Sequence, residues 1–530
     1  MKKLPIGMQT FSEMREKGYV YVDKTKYIHK LATTGKAYFL SRPRRFGKSL
    51  LLSTLEEFFK GNKELFKGLY IHDKGKWDSY PVLRLDFTKL GHESPEILKS
   101  ALDDFINMRA KDFSIELISK TLTSKFSELI EQIHKTTGKR VVVLIDEYDK
   151  AINNHFDDIE LAKKNRDVLK SFYQALKGLD NDLRFLFIAG ISKFAKTSIF
   201  SELNQLEDIT IHPKYSEICG YSQEDLPFYF KDHILKVSES EKISKDYLLN
   251  SLKTCYNGYS WDGKNFLYNP FSILNFFSTG KLANYWADSG TPTLLIDILK
   301  TTDVDLNILA NKKSEFVGSF PNFELDNISF ATVLLQTGYL TIKKEESKDI
   351  RASRFTTGIP NKEVEESLFS YILATYTNNV PESIEPLTND MIECIYTQDG
   401  EGLQKYFEIL LGKISNINYG YLKDNIEAYY KVLLISWMQL LGFDIETEVM
   451  TLKGRLDALL KTKDFVLIIE FKFSETKSLD SMLNEGENQI LEKEYYKPYQ
   501  NKNIVILSVA LQPKDINCKF KTLEEALKQN

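Results

Sequence analysis

The sequence predicts an α/β protein built from three parts. Residues 1–212 are predicted to form a doubly wound parallel sheet, residues 213–415 a mainly helical region, and residues 416–530 a second α/β domain. Two observations carry this prediction. Short apolar runs alternate with helical stretches in the first part, which is typical of βαβ units. Strand-like runs lie between helical stretches in the last part, whose roughly 100 residues suffice for an independent domain.

Length and composition place the chain among ordinary multidomain proteins. Its 530 residues leave room for roughly three or four domains. Hydrophobic residues make up 42% and charged residues 27%, as in typical globular proteins. The formal net charge of −4 excludes a globally basic protein, so any contact with DNA is expected along a local groove. All seven histidines lie at or before His233, so chemistry in the C-terminal half must proceed without imidazole.

Cysteine spacing and hydropathy bear on the compartment. The four cysteines are widely spaced, without a CxxC pair, which favours reduced thiols in the cytoplasm over a zinc ribbon. The start, Met-Lys-Lys-Leu-Pro-Ile-Gly, lacks the apolar core of a secretion signal, and no run of 18 apolar residues occurs. We therefore expect no membrane partner.

The first candidate strand, Tyr38–Leu40, leads through an arginine-rich loop into Gly47-Lys48-Ser49 at the start of an amphipathic helix. This is the arrangement of a P-loop, in which backbone N–H groups and a helix N-terminus bind the phosphates of ATP. Lys48 would reach the β- and γ-phosphate oxygens, and the Ser49 hydroxyl would ligate Mg²⁺. The predicted nucleotide-binding set is Arg42, Arg44, Arg45, Phe46, Gly47, Lys48, Ser49 and Asp146.

The loop departs from the usual P-loop pattern at its first position. That pattern begins with Gly six residues before the Lys, where this chain has Arg42. We expect the loop to enter by a different turn, with Pro43 fixing φ. The competing interpretation is a chance Gly-Lys-Ser at a helix start, behind a solvated arginine-rich loop.

A second apolar run, Arg140–Ile145, ends in Asp146 and Glu147 and is typical of a strand buried on both faces. At its carboxyl end, Asp146 would hold Mg²⁺ through water, and Glu147 would polarise the water that attacks the γ-phosphate. The alternative is a helix N-cap. Further elements of this part are predicted as strands at Pro81–Phe87 and Leu183–Ala189 and as helices at Ser94–Ala110 and Ile115–Lys135.

Two details of this nucleotide site stay open. Ser192, which follows the last of these strands, either touches the γ-phosphate or the attacking water, or is an ordinary loop serine. The candidates for an arginine finger are Arg42, Arg44, Arg45 and Arg184. Delivery of such a finger in trans would require a homo-oligomer.

The middle region is rich in aromatic residues and in apolar residues at helical spacing. It is predicted to hold one or two small helical domains. Ala331–Ile342, followed by Ile350–Thr357, resembles the helix and β-hairpin of a winged helix. The motifs Tyr256-Asn-Gly-Tyr-Ser-Trp261 and Tyr268-Asn-Pro270 are expected to pack small helical cores, and the alternative is stacking on nucleic-acid bases.

In the C-terminal domain, Phe465–Phe473 is a predicted strand on which Glu470 and Lys472 share one face, because successive side chains alternate. Asp457 lies on the preceding strand, Arg455–Leu460, one hairpin away. Asp457 and Glu470 together offer oxygen ligands to a hard cation such as Mg²⁺, and Lys472 can orient a water nucleophile or stabilise charge on a phosphate. The competing interpretation is an exposed cross-strand Glu–Lys pair.

Neighbouring helices supply two further polar residues. Glu427 lies in the predicted helix Leu422–Met438, and Gln489 lies in the predicted helix Ser478–Lys497. The remaining predicted strands of this domain are Glu446–Thr451 and Asn503–Ala510.

This ordered set resembles the PD-(D/E)xK nuclease superfamily, which has a helix Glu, then Asp, then Glu-x-Lys, then a helix Gln. The resemblance implies a restriction-endonuclease-like domain and a metal-dependent DNA endonuclease. Its implied catalytic residues here are Glu427, Asp457, Glu470, Lys472 and Gln489. Leu456 stands where the superfamily motif has Pro.

The whole chain resembles the bacterial AAA-ATPase-like proteins that carry such a nuclease domain. The motifs that carry the resemblance are Tyr21-Val-Asp-Lys-Thr25, Arg42-Pro-Arg-Arg-Phe-Gly-Lys-Ser-Leu50, Leu144-Ile-Asp-Glu-Tyr-Asp149, Tyr256-Asn-Gly-Tyr259, Tyr268-Asn-Pro270 and Gly454-Arg-Leu-Asp457 with Glu470-Phe-Lys472. The resemblance implies a P-loop NTPase module, a helical middle and a nuclease-like end. It also explains Arg42, because the family's own P-loop starts with Arg-Pro.

Two function hypotheses follow. In the first, ATP binding or hydrolysis gates a Mg²⁺-dependent DNA endonuclease, with phage defence or mobile-element biology as the associated settings. In the second, the chain is a nucleotide-operated switch whose nuclease-like domain only binds a partner or nucleic acid. Local charge discriminates between them, because cleavage needs a basic groove. Basic residues near Glu470 are Lys453, Arg455, Lys461, Lys463 and Lys472, and nearby acidic residues are Glu485, Glu487, Glu492 and Glu494.

Overall fold

The computed structural model describes residues 1–193, 203, 205–288, 295–296, 299, 308, 313–318, 320–322, 325, 329–346, 353–377, 385–411, 426–441, 444–451, 453–512 and 515–529. The chain forms two compact units. Unit 1 comprises Met1–Leu294 and Ser314–Val364, and unit 2 comprises Leu295–Lys313 and Glu365–Asn530. The domain boundaries predicted at 212 and 415 stay predictions. Residues 213–288, predicted as part of a separate middle region, belong to the same unit as the first sheet.

Unit 1 is centred on a parallel five-stranded sheet with the order β2-β3-β4-β1-β5. Its strands are β1 Ala37–Ser41, β2 Val82–Asp86, β3 Val141–Asp146, β4 Leu183–Gly190 and β5 Glu207–Asp208. All residues of β1 and β3 are buried, which accounts for their unbroken apolar runs. This sheet confirms the predicted α/β fold. Because β4 lies between β1 and β3, its carboxyl end lies between theirs.

Of the described α-helices before β5, two precede β1, and the other five lie between successive strands of this sheet. They are α1 Phe11–Glu16, α2 Thr25–Thr34, α3 Lys48–Phe59, α4 Pro95–Asp112, α5 Leu122–Thr137, α6 Lys150–Asn153 and α7 Ile159–Gln174. The predicted start of α5 at residue 115 was wrong. The Glu128 carboxylate accepts the N–H groups of Ile118 and Ser119, and Thr121 caps the helix by accepting the N–H of Ser124. These bonds hold the preceding residues outside the helix.

The rest of unit 1 is helical with one small sheet. Its helices are α8 Asp225–Tyr229, α9 Lys231–Ser240, α10 Lys245–Tyr256, α11 Pro270–Thr279, α12 Tyr285–Asp288 and α13 Phe330–Thr337. The small sheet has the order β6-β8-β7, with β6 Lys313–Val317, β7 Thr341–Glu346 and β8 Arg354–Gly358. The predicted helix and β-hairpin are therefore present. The helix ends at Thr337, earlier than predicted, because Gly338 takes the left-handed conformation that closes it.

Unit 2 contains a mixed five-stranded sheet with the order β13-β12-β11-β10-β9. The strands are β9 Asp444–Thr451, β10 Gly454–Lys461, β11 Val466–Phe473, β12 Ile504–Leu511 and β13 Ile516–Thr522. Only β11 and β12 pair in parallel. The helices are α14 Lys362–Thr377, which begins in unit 1, α15 Glu385–Thr397, α16 Gly400–Leu411, α17 Ile426–Leu440, α18 Leu479–Glu492 and α19 Leu523–Gln529.

The core of unit 2 positions its central strands. Leu459, Val466, Ile468, Ile490 and Ile506 are buried together, which fixes α18 against the sheet. Helix α18 ends at Glu492, five residues before the predicted end, and the chain then makes a short 3-10 turn at Lys497–Tyr499. Among the described residues, no helix is both long and apolar enough to cross a bilayer. All four cysteines are free thiols.

Candidate nucleotide and nuclease sites

The loop between β1 and α3 has the geometry of a phosphate-binding turn. Gly47 precedes α3 at φ 91°, and Lys48 is the first helical residue. Arg45 also has a positive φ, of 67°. The buried Lys48 ammonium donates to the carbonyl oxygens of Arg42 at 3.0 Å and Pro43 at 3.1 Å. The loop therefore folds around this ammonium at the N-terminus of a helix, where a phosphate is favoured.

Arg42 is a structural residue of this loop. Its side chain is 0% exposed, and its guanidinium donates to the carbonyl oxygens of Ser41, Thr210 and Tyr215. The same group lies 4.0 Å from the ring centre of Trp261. Arg42 was predicted among the residues that bind the cofactor and was one of four candidates for an arginine finger. Its guanidinium is bonded to backbone carbonyls inside the fold, so its side chain is not free to act as a finger.

The other arginine candidates differ in exposure. Arg44 and Arg45 are exposed, and the Arg45 guanidinium lies 4.9 Å from the ring of Phe271. Arg184 is half-buried and donates to the carbonyl of Ala32 at 3.1 Å. Arg44 and Arg45 therefore stay candidates for contact with a nucleotide.

Asp146 lies at the carboxyl end of β3, beside the P-loop. The Arg84 guanidinium lies 3.7 Å from Asp146 Oδ2. Burial raises the pKa of Asp146 above its ordinary value, and the nearby Ser49 side chain opposes this shift. The structure thus brings together the two residues predicted to hold Mg²⁺. Arg84 was missed, because a lone arginine within β2 carries no motif.

Glu147, the predicted general base, follows Asp146 and has a positive φ of 54°. This conformation is uncommon for residues other than glycine and tends to occur at functional sites. Asp149, two residues on, is fully buried and accepts the N–H groups of Ile191 at 3.0 Å and Ser192 at 2.6 Å. Asp149 thereby ties the end of β3 to the loop after β4. Nothing in the sequence separated it from the other residues of the motif.

The Ser192 side chain contacts α6, and the Ser192 backbone N–H is bonded to Asp149 beyond the end of β3. The side chain is fully buried, and its hydroxyl donates to Asn153 Oδ1 at 3.0 Å. Its place beside the carboxyl end of β3 is compatible with both interpretations of this serine.

The aromatic motif of the middle region packs on the P-loop. The Phe46 ring is 4.7 Å from the ring of Tyr259 and 5.1 Å from the ring of Trp261. All three side chains are buried, which agrees with a packing role and leaves no open face for stacking on bases. The Trp286 indole N–H donates to the carbonyl of Arg44 at 3.4 Å. Tyr259 and Trp261 therefore support the nucleotide loop, whereas Tyr256 and Tyr268 pack in a helical core with α8–α11, as predicted.

In unit 2, strand pairing places Asp457 beside Glu470. The register pairs Ala458 with Ile469, so one further step along the antiparallel strands brings Asp457 opposite Glu470. The Asp457 Oδ2 atom accepts the backbone N–H of Phe471 at 2.9 Å. Opposite residues of an antiparallel pair point to the same face of the sheet. The two predicted metal ligands therefore share one face.

Glu470, Lys472 and Gln489 form one hydrogen-bonded network. The Lys472 ammonium donates to Glu470 Oε1 at 3.0 Å and to Gln489 Oε1 at 2.6 Å. The Gln489 amide group donates to Glu470 Oε1 in turn. Glu470 is only 2% exposed, so the interpretation as an exposed surface pair was wrong. The register of β11 and the position of Gln489 on α18 create this arrangement.

Glu427 is the fifth predicted nuclease residue. It lies in the first turn of α17, three residues before Tyr430, whose ring centre is 6.1 Å from that of Phe473 at the end of β11. Its side chain lies outside the part of the chain that the structure describes.

Comparisons with known proteins match the two parts of the chain that contain these candidate sites. A family model described as predicted AAA-ATPase matches residues 5–200, and a model of the PD-(D/E)XK nuclease superfamily matches residues 425–521. A curated protein of Azotobacter chroococcum mcd 1, described as an uncharacterized protein in the vnfD 5′ region, is 35% identical over 505 residues. These residues cover 94% of each chain. The chain belongs to this AAA-ATPase-like family. No solved structure matches it.

Two buried oxygens of this AAA-ATPase-like protein suit the Mg²⁺ ions that its two families imply. Among the described residues, Asp146 Oδ1 and Glu470 Oε2 are buried without a hydrogen-bond partner. An unpaired buried carboxylate oxygen is unfavourable, and a hard cation would satisfy it. No group of three or more His, Cys, Asp or Glu side chains with metal-binding geometry occurs in the described part of the chain. A cation at Asp457 and Glu470 would therefore complete its shell with water, as Mg²⁺ often does.

The pKa of Glu470 reflects its burial beside a second carboxylate. Burial, followed by the neighbouring charge of Asp457, raises the pKa of Glu470 to about 7, although Lys472 opposes the shift. A divalent cation would compensate both the burial and the repulsion between the carboxylates.

Most of the lysines around the nuclease-like site of the AAA-ATPase-like protein are paired. Lys453 pairs with Glu494, Lys461 with Glu446 and Lys472 with Glu470. The positive charge at the predicted groove is therefore lower than the number of lysines indicated.

Proposed function

We propose that this AAA-ATPase-like protein binds and hydrolyses ATP in unit 1 and cleaves DNA with Mg²⁺ in unit 2. The observation that carries the nuclease proposal is the buried Glu470, bonded to Lys472 and Gln489 through one oxygen and unpaired at the other within the described structure. A buried carboxylate with one oxygen left unpaired is costly even beside Lys472, and a bound cation would offset that cost. Support also comes from the superfamily match over residues 425–521.

The nucleotide side of the proposal rests on Lys48 and Asp146. When ATP binds, the Lys48 ammonium would exchange the carbonyls of Arg42 and Pro43 for phosphate oxygens. Mg²⁺ held by Ser49 and Asp146 would neutralise phosphate charge. Glu147 would orient the attacking water, since it follows Asp146 directly and its backbone departs from the strand there. The products would be ADP and phosphate.

The nuclease chemistry would be hydrolysis of a phosphodiester. The Lys472 ammonium would hold the attacking water and stabilise negative charge on the phosphate. As the water oxygen bonds to phosphorus, one P–O ester bond breaks and the leaving oxygen gains a proton. Gln489 would hold the Lys472 and Glu470 side chains in position through its hydrogen bonds to both. Mg²⁺ at Asp457 and Glu470 would supply the Lewis acid.

The test is a cleavage assay on plasmid and linear DNA, with and without ATP and Mg²⁺. Wild type should cleave with Mg²⁺, and Glu470→Ala should lose cleavage while keeping ATP hydrolysis. Lys48→Ala should lose ATP binding and hydrolysis. The matched controls are Glu485→Gln on α18 and Lys60→Ala at the end of α3, both at exposed ion pairs. Cleavage by Glu470→Ala at the wild-type rate would refute the nuclease site.

A specific observation favours a second candidate, the nucleotide-operated switch. The ion pairs of Lys453 and Lys461 reduce the positive charge that a DNA backbone would meet. In that case unit 2 would bind a partner without cleaving. DNA binding without cleavage in the same assay, unchanged by Mg²⁺, would select this alternative.

The setting of the activity is also a proposal. The free cysteines suit the reducing cytoplasm that the sequence predicts. Phage defence, mobile-element biology and a homo-oligomer that supplies an arginine finger in trans stay hypotheses.

A further inference from the structure

Helix α13 ends between the two loops that flank the proposed ATP site of unit 1. The side-chain oxygen of Gln336 accepts the backbone N–H of Lys193 at 2.7 Å, in the loop after β4. Two residues later, Gly338 packs on Pro43 of the P-loop, so closely that an added Cβ would lie 2.8 Å from the Pro43 side chain. One helix end thus touches both loops.

The Gln336 side chain is fixed at both ends. It is 1% exposed, and its amide nitrogen donates to the carbonyl of Pro321 at 2.6 Å. Both hydrogen-bonding groups of the amide are used, so its orientation is defined. A buried amide held in this way is costly to remove, because Lys193 N–H and the Pro321 carbonyl would be left unpaired.

The loop that Gln336 holds belongs to the nucleotide site. Lys193 follows Ser192, whose N–H is bonded to the buried Asp149 at the end of β3. The Lys193 ammonium is anchored to Asp208 of β5 at 2.6 Å. Since β4 lies between β1 and β3, residues 191–193 at its carboxyl end lie between the P-loop and Asp146. They lie at the edge of the sheet that a γ-phosphate and its attacking water would face.

The P-loop contact acts on a different part of the site. The Pro43 carbonyl accepts a hydrogen bond from the Lys48 ammonium, and the Pro43 ring packs against Gly338. Gly338 has a φ of 97°, which a side chain would strain in addition to the close contact. A residue larger than glycine would push Pro43, and with it the surroundings of Lys48.

We infer that Gln336 is a positioning residue for ATP hydrolysis and that Gly338 positions the P-loop for ATP binding. This inference rests on the proposed ATPase function and extends it. The last turn of α13, which lies far from the phosphate motifs in sequence, fixes the two loops independently. The same contacts connect the nucleotide site to the small sheet, because β7 follows α13 directly.

The two substitutions should separate binding from turnover. Gln336→Met keeps the volume of the side chain and removes both hydrogen bonds, so kcat should fall at least tenfold while the Kd for ATP changes less than threefold. Gly338→Ala should raise the Kd at least tenfold. Gln336→Glu retains an acceptor for Lys193 N–H but places a carboxylate oxygen against the Pro321 carbonyl, so it should recover only part of the lost kcat. The matched control is Thr337→Val, since the Thr337 hydroxyl bonds only within its own helix, to Val333.

The experiment measures ATP affinity, steady-state hydrolysis and amide hydrogen exchange at Lys193 in the full-length chain. Faster amide exchange at Lys193 in Gln336→Met would show that the Lys193–Gln336 hydrogen bond protects this amide in wild type. This readout does not depend on ATP. If that exchange is faster and kcat is unchanged, the inference alone is overturned. If wild type binds no ATP with Mg²⁺ present, the proposed function fails and this inference fails with it. Should Gln336→Met not fold, Gly338→Ala and Gln336→Glu decide the outcome.

Discussion

Glu470 is a residue at which function and stability pull in opposite directions. Its raised pKa means that ionisation opposes folding. The carboxyl contributes its stability below the unfolded value of about 4.5, and this contribution is lost as the pH rises through about 7. By roughly 1.4 kcal/mol for each pKa unit, the ionised side chain costs on the order of 3 kcal/mol at pH 8 in the absence of a cation.

We therefore expect Glu470→Gln to be more stable relative to wild type at pH 8 than at pH 5.5, while losing Mg²⁺-dependent cleavage. Urea unfolding at both pH values with a chelator present measures the difference. Glu485→Gln, at the ion pair with Lys477, should show no such pH dependence. A Glu470→Gln variant that loses stability equally at both pH values would contradict the argument.

Arg42 offers a second test at this scale, since the exposed Arg44, two residues further along the chain, is a matched control. Arg42→Lys leaves backbone carbonyls of Thr210 and Tyr215 without their donors, because a single ammonium cannot reproduce the fork of the guanidinium. The free energy of unfolding should fall by about 2–4 kcal/mol. Arg44→Lys should change it by less than about 0.5 kcal/mol. Equal thermal midpoints for the two variants would show that the buried bonds are unimportant.

At the scale of elements, Gly454, the first residue of β10, lies close to Tyr495 in the segment after α18. A Cβ at Gly454 would lie 2.9 Å from the Tyr495 hydroxyl, which donates to the carbonyl of Arg455 at 3.0 Å. This contact joins the hairpin that carries Asp457 to the end of the helix that carries Gln489. It accounts for the glycine that opens the Gly454-Arg-Leu-Asp457 motif.

This contact predicts that Gly454→Ala and Tyr495→Phe are not additive. Gly454→Ala should be less destabilising by about 1 kcal/mol in the Tyr495→Phe background, which lacks the Tyr495 hydroxyl, than in wild type. A double-mutant cycle by chemical denaturation measures this term. Additive effects would mean that the contact between Gly454 and Tyr495 does not influence stability. Tyr499→Phe, in the neighbouring 3-10 turn, is the control and should be additive.

Elements with a local signal were predictable, and contacts between distant elements were not. The alternation on β11 predicted that Glu470 and Lys472 share a face, and the hydrogen bond between them confirms it. In contrast, β5 has two residues and no pattern of its own. Strand β13 was missed because its two buried residues are too few for a strand signal.

The same distinction applies to site residues. The burial of Arg42 depends on Thr210 and Tyr215, which are 168 and 173 residues away along the chain. Gln336 reaches Lys193 across 143 residues. No periodicity or motif reports such partners, because they are created by the packing of the whole unit. Family resemblance supplied Gln489, which residue patterns alone could not single out.

At the scale of the whole molecule, the chain forms two compact units, so we expect a ligand of one unit to stabilise that unit. ATP with Mg²⁺ at about 100 times its Kd should stabilise unit 1 by about 2.7 kcal/mol. In thermal unfolding we expect one transition to rise and the other to stay fixed. Lys48→Ala should remove the shift. A shift of both transitions would show that the units unfold together.

The order of strands in unit 2 has a consequence for biosynthesis. Glu470 pairs along β11 with Ser508 of β12, and β13 completes the sheet only near the end of the chain. Every strand of the five-stranded sheet of unit 1 lies before residue 210, and unit 1 is complete by Val364. Because domains generally fold as units while the chain emerges from the ribosome, translation delivers the nucleotide-binding half first. Under the proposed function, the nascent chain would gain its ATP site before it gains the site proposed to cut DNA.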